Sequence, residues 1–147
     1  MNASTHSELV EVTNNILETI VFAFTEHLDE LPDFAPAAFL SAEVRFTGSH
    51  EGCLTMIAPK ALCQEWAEMM SEKQSETIHL DTLAELTNII AGHWVSKHFS
   101  NGELPKLRPP KVVTASREQW DRIPSIASLV TLSVDNHALI IFATTPN

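Results

Sequence analysis

The chain has 147 residues, the length of one domain, and its 44% apolar and 19% charged residues suit a globular protein with a real core. Nineteen acidic against nine basic residues give a net charge of −10, which argues against nucleic acid and against an anionic membrane surface as partners. No apolar run approaches the ~20 residues that span a bilayer, and the N-terminus has neither a basic n-region nor an apolar h-region, so a cytoplasmic protein without membrane insertion is expected.

A first helix is expected from about Ser7 to His27, capped by Ser4, Thr5 or Ser7 and ended by Pro32 and Pro36. A short strand follows around Ala38–Ser41, and Glu43–Phe46 alternates as a second. The run from Thr47 to Gly52 is a turn, and Cys53–Ile57 returns as the partner strand. Pro59 opens a helix that reaches about Met70, and Ser71–Ser75 is a polar connection. A long helix then begins near Asp81, which sits at its cap or in its first turn, the cap being the simpler role. It runs to about Phe99 and is stopped by Asn101-Gly102 and Pro105. Pro109-Pro110 lead into a strand at Val112-Val113, and Arg117–Pro124 reads as a loop carrying Trp120. Ile126–Val134 and Ala138–Ala143 form a hairpin about Asp135-Asn136. Cys53 and Cys63 form no CxxC pair and are expected as reduced thiols.

One pattern occurs twice. Ser7, Glu11, Asn14 and Pro36 recur 74 residues later as Asp81, Glu85, Asn88 and Pro110, at the same intervals. That period exceeds the roughly 20–50 residues of solenoid repeats. It suggests one domain spanning 1–147, built of two similar halves at about 7–70 and 81–143. On a helix, positions i, i+4, i+7 and i+11 share a stripe. Asp81, Glu85, Asn88 and Gly92 occupy such a stripe, opposite a core face of Leu83, Leu86, Thr87, Ile90 and Trp94. In the first half Ser7, Glu11, Asn14 and Glu18 oppose Leu9, Val12, Ile16 and Ile20. Glu85 and Asn88 should therefore point outward together. A carboxylate and an amide can orient water and grip a cation, but neither is a strong nucleophile.

Asp81-x3-Glu85-x2-Asn88, the following Ile89-Ile90-Ala91-Gly92 and the distal Pro110 resemble the signature of the CheC/CheX chemotaxis phosphatases. The stretch Val44-Arg-Phe-Thr-Gly-Ser-His-Glu-Gly52 is similar to that family's strand–turn–strand. The 21 residues between Asn88 and Pro110 are one fewer than the family spacing. The resemblance implies an α/β (α+β) fold with a pseudo-two-fold repeat, an antiparallel sheet and long helices packed on one face. It implies a phosphatase that hydrolyses the aspartyl phosphate of a CheY-type response regulator in two-component signalling. By position, Asn88 would orient the attacking water and Glu85 would pair with the receiver's lysine. Asp81, Gly92 and Pro110 would be supporting motif positions. No cofactor of its own is implied, since the Mg²⁺ belongs to the receiver. A homodimer of the CheX kind is implied too.

The first pair, Glu11 and Asn14, is a possible second site. Glu18 stands where Gly92 stands in the second copy and would put bulk and charge in a receiver's path, which favours the single-site CheX type. Exposed Glu and Asn on a helix are ordinarily just solvated surface, and the repeat with its motif lifts Glu85 and Asn88 above that. Gly92 costs about 1 kcal/mol in a helix relative to Ala; it serves either close helix packing or clearance for a partner. The seven histidines match no metal-binding spacing and are expected at the surface or an interface, and Trp66, Trp94 and Trp120 in the core or a dimer contact. The alternative function is a non-catalytic receiver-binding or flagellar-switch-like module on the same fold. A small-molecule pocket between the halves has no motif behind it.

Overall fold

A computed structural model describes residues 3–70 and 77–146. The polar connection expected at Ser71–Ser75 lies outside them. In chain order the elements are α1 (Ala3–Val21), β1 (Thr25–His27), β2 (Phe39–Thr47), β3 (Gly52–Pro59), α2 (Lys60–Met70) and α3 (Ile78–His98). They continue with β4 (Lys106–Leu107), β5 (Lys111–Thr114), α4 (Arg117–Arg122), a 3₁₀ turn (Ile123–Ser125), β6 (Val130–Val134) and β7 (His137–Thr144).

The strands make one antiparallel sheet in the order β1-β6-β7-β3-β2-β4, with β5 also paired to β2. The two hairpins meet at its centre, where Met56 of β3 faces Ile141 of β7. The order reads alike from either edge when β1 is matched with β5, β2 with β6 and β3 with β7. β1 crosses over to pair with β6, and β5 crosses over to pair with β2.

Alternation along the strands sorts side chains to two faces. Leu40, Ala42, Val44, Phe46, Leu54, Met56, Leu139 and Ile141 point to the face covered by the long helices, where they join Leu9, Leu17, Trp66, Leu83, Leu86, Ile90 and Trp94. Phe39, Ile57, Ile140 and Phe142 point the other way, and a smaller cluster of Trp120, Ile123 and Ala115 covers them. The long helices thus pack on one face. α3 packs against both α1 and α2. Two polar contacts tie it to α1: an ion pair from Lys97 to Glu11 at 2.5 Å, and His98 Nδ1 at 2.6 Å from Glu8 Oε1.

Several local expectations need correction: Ser4, Thr5 and Ser7 lie inside α1 rather than at its cap, and the two short strands expected at Ala38–Ser41 and Glu43–Phe46 are one continuous strand, β2. The first helix stops at Val21, not His27: Phe22 takes a left-handed φ of 55°, and the Ala23 N–H closes the turn onto the Leu17 carbonyl. Buried Val21 and Ala23 alternate with exposed Phe22 and Phe24, a period of two that suits the extended chain entering β1. The loop expected at Arg117–Pro124 is helical. Ser116 caps it by accepting from the Gln119 N–H, and Arg117–Asp121 and Glu118–Arg122 pair at i,i+4. Ser116-x-x-Gln119 is a capping-box pattern that the loop reading overlooked. The strand expected from Ile126 begins only at Val130. Ile126 and Leu129 instead make turn hydrogen bonds, and buried Ser128 exchanges two with the Ala143 backbone. Asp81 is not a cap: the cap position is Thr77, and Asp81 lies in the first turn of α3. There its charge still favours the helix dipole. Asp135 and Asn136, both at positive φ, make the expected tight hairpin turn.

The two thiols are held protonated. Cys63 is buried on α2, and Cys53 is half-buried beside Glu43; burial first, and for Cys53 the Glu43 charge second, pushes both from an ordinary 9.0 up to about 12. Above pH 9 the unfolded chain releases these protons while the native chain keeps them. Stability is therefore full below pH 9 and falls as pH rises toward 12. Urea unfolding from pH 8 to 11 should show this decline, and Cys53→Ala with Cys63→Ala should make it shallower.

Candidate functional site on the third helix

α3 is built to present two unlike faces. Thr82, Leu83, Leu86, Thr87, Ile90, Ala91, Trp94 and Val95 are buried, and the Thr82 and Thr87 hydroxyls donate to the carbonyls of Ile78 and Leu83 one turn back. On the stripe turned to solvent, Asp81, Glu85 and Asn88 are all exposed. Among the described residues none of these three side chains has a hydrogen-bond or ion-pair partner. Glu85 and Asn88 lie three residues apart, which places them as neighbours on the helix surface. Asn88 thus offers both donors and its acceptor to whatever approaches, and Glu85 offers its carboxylate.

Gly92 extends the stripe by one turn. A Cβ built there would meet nothing nearer than Leu107 Cδ1 of β4, at 3.7 Å, an ordinary contact. Close packing within this chain therefore does not require glycine. Gly92→Ala should stabilise the fold by up to about 1 kcal/mol, raising Tm by about 3 °C in thermal unfolding. Pro110 is half-buried and sits between β4 and β5, and β5 packs against α3. Distal in sequence, it is brought to the flank of the same helix.

The first pair is placed differently. Asn14 is half-buried, and its side-chain oxygen accepts a hydrogen bond from the Thr25 hydroxyl of β1. Glu11 is exposed, but its carboxylate is engaged by Lys97 of α3. Glu18 is exposed on the same side. The structure places Glu85 and Asn88 side by side with no partner among the described residues and holds Glu11 and Asn14 in internal contacts. Neither Thr25 nor Lys97 could be picked out beforehand, because each arrives from another element.

Of the histidines, His98 stacks on Trp94 with ring centroids 4.8 Å apart while pairing with Glu8, and His6 Nδ1 lies 2.8 Å from the Leu129 carbonyl oxygen. Among the described residues no group of three or more His, Cys, Asp or Glu could hold a metal ion, and no helix is long and apolar enough to cross a membrane.

Residues 40–132 match the family model described as chemotaxis phosphatase CheX, and the chain belongs to that family. Solved structures agree on the fold. A putative chemotaxis protein from Desulfovibrio vulgaris Hildenborough superposes with a TM-score of 0.71 at 13% identity, covering 98% of each chain. CheX from Desulfovibrio desulfuricans gives 0.70 at 15% identity, covering 97% of this chain and 99% of that one. A CheX–CheY–BeF3–Mg²⁺ complex from Borrelia burgdorferi gives 0.69 at 16% identity, covering 95% of each. A comparison with curated protein sequences finds no significant match.

Proposed function

We propose that this chain hydrolyses the aspartyl phosphate of a CheY-type receiver domain, and that the Glu85–Asn88 pair does so from one α3 face. The observation that carries the reading is the difference between the two pairs. Among the described residues Glu85 and Asn88 stand exposed and without internal partners, while the Glu11 carboxylate and the Asn14 amide oxygen are already occupied. Membership of the phosphatase family and the likeness to a CheX bound to CheY support the partner class.

An acyl phosphate is intrinsically reactive. Its hydrolysis needs a water held in line and stabilisation of the charge on the transferring group, with little covalent work for the protein. Asn88 can hold that water by hydrogen bonds without acting as a base. Glu85 can pair with a receiver lysine and so lock Asn88 in register over the phosphoryl group. Mg²⁺, supplied by the receiver, would neutralise the phosphoryl oxygens. Gly92 leaves the space one turn beyond Asn88 open to the receiver surface.

The two-half organisation, about 7–70 and 81–143 within one domain, belongs to the same proposal. The sheet order that reads alike from both edges supports it. In this reading the second copy keeps the site and the first has turned its pair to structural use. A homodimer is also part of the proposal, supported by Phe22 and Phe24, 74% and 73% exposed beside the edge strand β1. The direct test is the decay of a phosphorylated CheY-type receiver with and without the protein. Unchanged decay together with retained binding would replace catalysis by a non-catalytic receiver-binding role.

A further inference from the structure

The opposite face of the sheet carries a feature that the phosphatase reading does not use. β2 and β4 pair as Phe46↔Leu107 and Thr47↔Lys106, and the Arg108 N–H donates to the Arg45 carbonyl at 2.7 Å, continuing the ladder. Phe46 and Leu107 point into the main core. Strand alternation therefore sends Arg45 and Arg108 to the other face, directly across from each other. Like charges opposed across a strand pair destabilise a sheet.

Among the described residues their relief is partial. Of the four arginines, Arg117 and Arg122 are committed to Asp121 and Glu118 on α4. Arg45 reaches Glu43 only at 3.6 Å, through Nε, and Arg108 has no ion-pair partner among the described residues. Lys106 and Lys111 fall on the same face by the same alternation, with Lys111 opposite Glu43. Four of the nine basic residues of an acidic chain thus gather at one sheet edge.

The arginines also share a cleft. Arg45, Arg108, Cys53, Thr144 and Thr145 line a concavity of about 590 Å³, with Glu51 among its walls. Its size lies within the usual range for small-ligand sites, roughly 300–1,000 Å³. Register builds the row across it, since Arg45 pairs with Cys53, and Cys53 with Thr144. Two guanidinium forks and two hydroxyls lining one cleft are the donors an oxyanion takes, since guanidinium binds carboxylate and phosphate bidentately.

We propose that the Arg45–Arg108 cleft binds a small oxyanion, a phosphate- or carboxylate-bearing metabolite, on the sheet face opposite α3. The bound anion relieves the repulsion between the two guanidiniums. The test is isothermal titration of the full chain with inorganic phosphate and, separately, with citrate, in chloride of matched ionic strength. Saturable binding is expected, weakened at least tenfold by Arg45→Gln and by Arg108→Gln and unchanged by Arg117→Gln. The preferred probe separates a phosphate source from a carboxylate one. Arg108→Glu should abolish binding and raise Tm in the absence of anion, since it converts a repulsive pair into an attractive one. The proposal is overturned if neither probe binds, or if the Arg45→Gln and Arg108→Gln variants titrate like the parent. It is equally overturned if they slow receiver dephosphorylation while leaving anion binding intact, which would assign the patch to a protein partner.

Discussion

Asn88→Ala should abolish most of the acceleration of receiver dephosphorylation while leaving the fold unchanged. The size of the loss follows from what the amide does. Removing one preorganised hydrogen-bonding group from a reacting centre costs about 10²–10³-fold, and alanine can neither donate nor accept. The fold should not notice, because Asn88 is exposed and makes no internal hydrogen bond among the described residues; alanine is in addition a better helix former than asparagine. The measurement is the first-order decay of phosphorylated receiver at saturating protein, paired with thermal unfolding of the variant. Loss of rate with Tm unchanged or slightly raised is the expected signature. Glu85→Ala should behave differently, weakening apparent affinity for the receiver as well as rate, because it removes the proposed anchor. Asn14→Ala serves as the control: it breaks the bond from Thr25, so its effect should fall on stability with dephosphorylation preserved. Full activity in Asn88→Ala would remove the amide from the mechanism.

The exposed placement of the candidate pair was legible because helix periodicity is a strong local signal. Glu85 and Asn88 fall on the polar stripe of a segment whose other face reads as core, and every predicted core residue of that face is buried. The repeat at 74 residues marks the same stripe independently of periodicity. What remained illegible was non-local. Nothing near Asn14 in the chain announces Thr25 as its partner, and nothing near Glu11 announces Lys97, 86 residues away. The same holds for the Arg45–Arg108 opposition. It depends on the register of β4, a two-residue strand too short to leave a pattern. The missed ends have local causes instead. The helix expected to reach His27 stops early because apolar residues at both odd and even positions of Val21–Phe24 satisfy a helical and an extended reading alike. Burial of Val21 and Ala23 decides between them. The Arg117 segment is helical where a loop is expected, because six residues are too few to show a period, although Ser116 and Gln119 carry its cap in the sequence.

Trp94→Ala should be among the most damaging single changes in the chain, and its signature should be the reverse of Asn88→Ala. Both side chains come from α3, but Trp94 is fully buried on the inner face. It packs against Phe46 of β2 at 5.8 Å and Phe99 at 5.9 Å between ring centroids, and His98 stacks on it. It therefore joins the helix to the sheet and supports the histidine that pairs with Glu8 of α1. Truncating a buried aromatic costs about 3–5 kcal/mol, a large share of the 5–15 kcal/mol typical of a whole domain. At about 2–4 °C per kcal/mol for a chain of this size, Tm should fall by about 10 °C. Trp94→Phe should cost well under half as much. The Trp94 indole N–H has no hydrogen-bond partner among the described residues, so phenylalanine gives up ring volume but no bond. Measured by urea or thermal unfolding, a loss in Trp94→Ala no larger than in Trp94→Phe would show that α3 is not anchored through this ring. A large loss, with activity per folded molecule retained, would show that one helix separates its two tasks by face: the inner side secures the fold, and the outer side is left free to meet a partner.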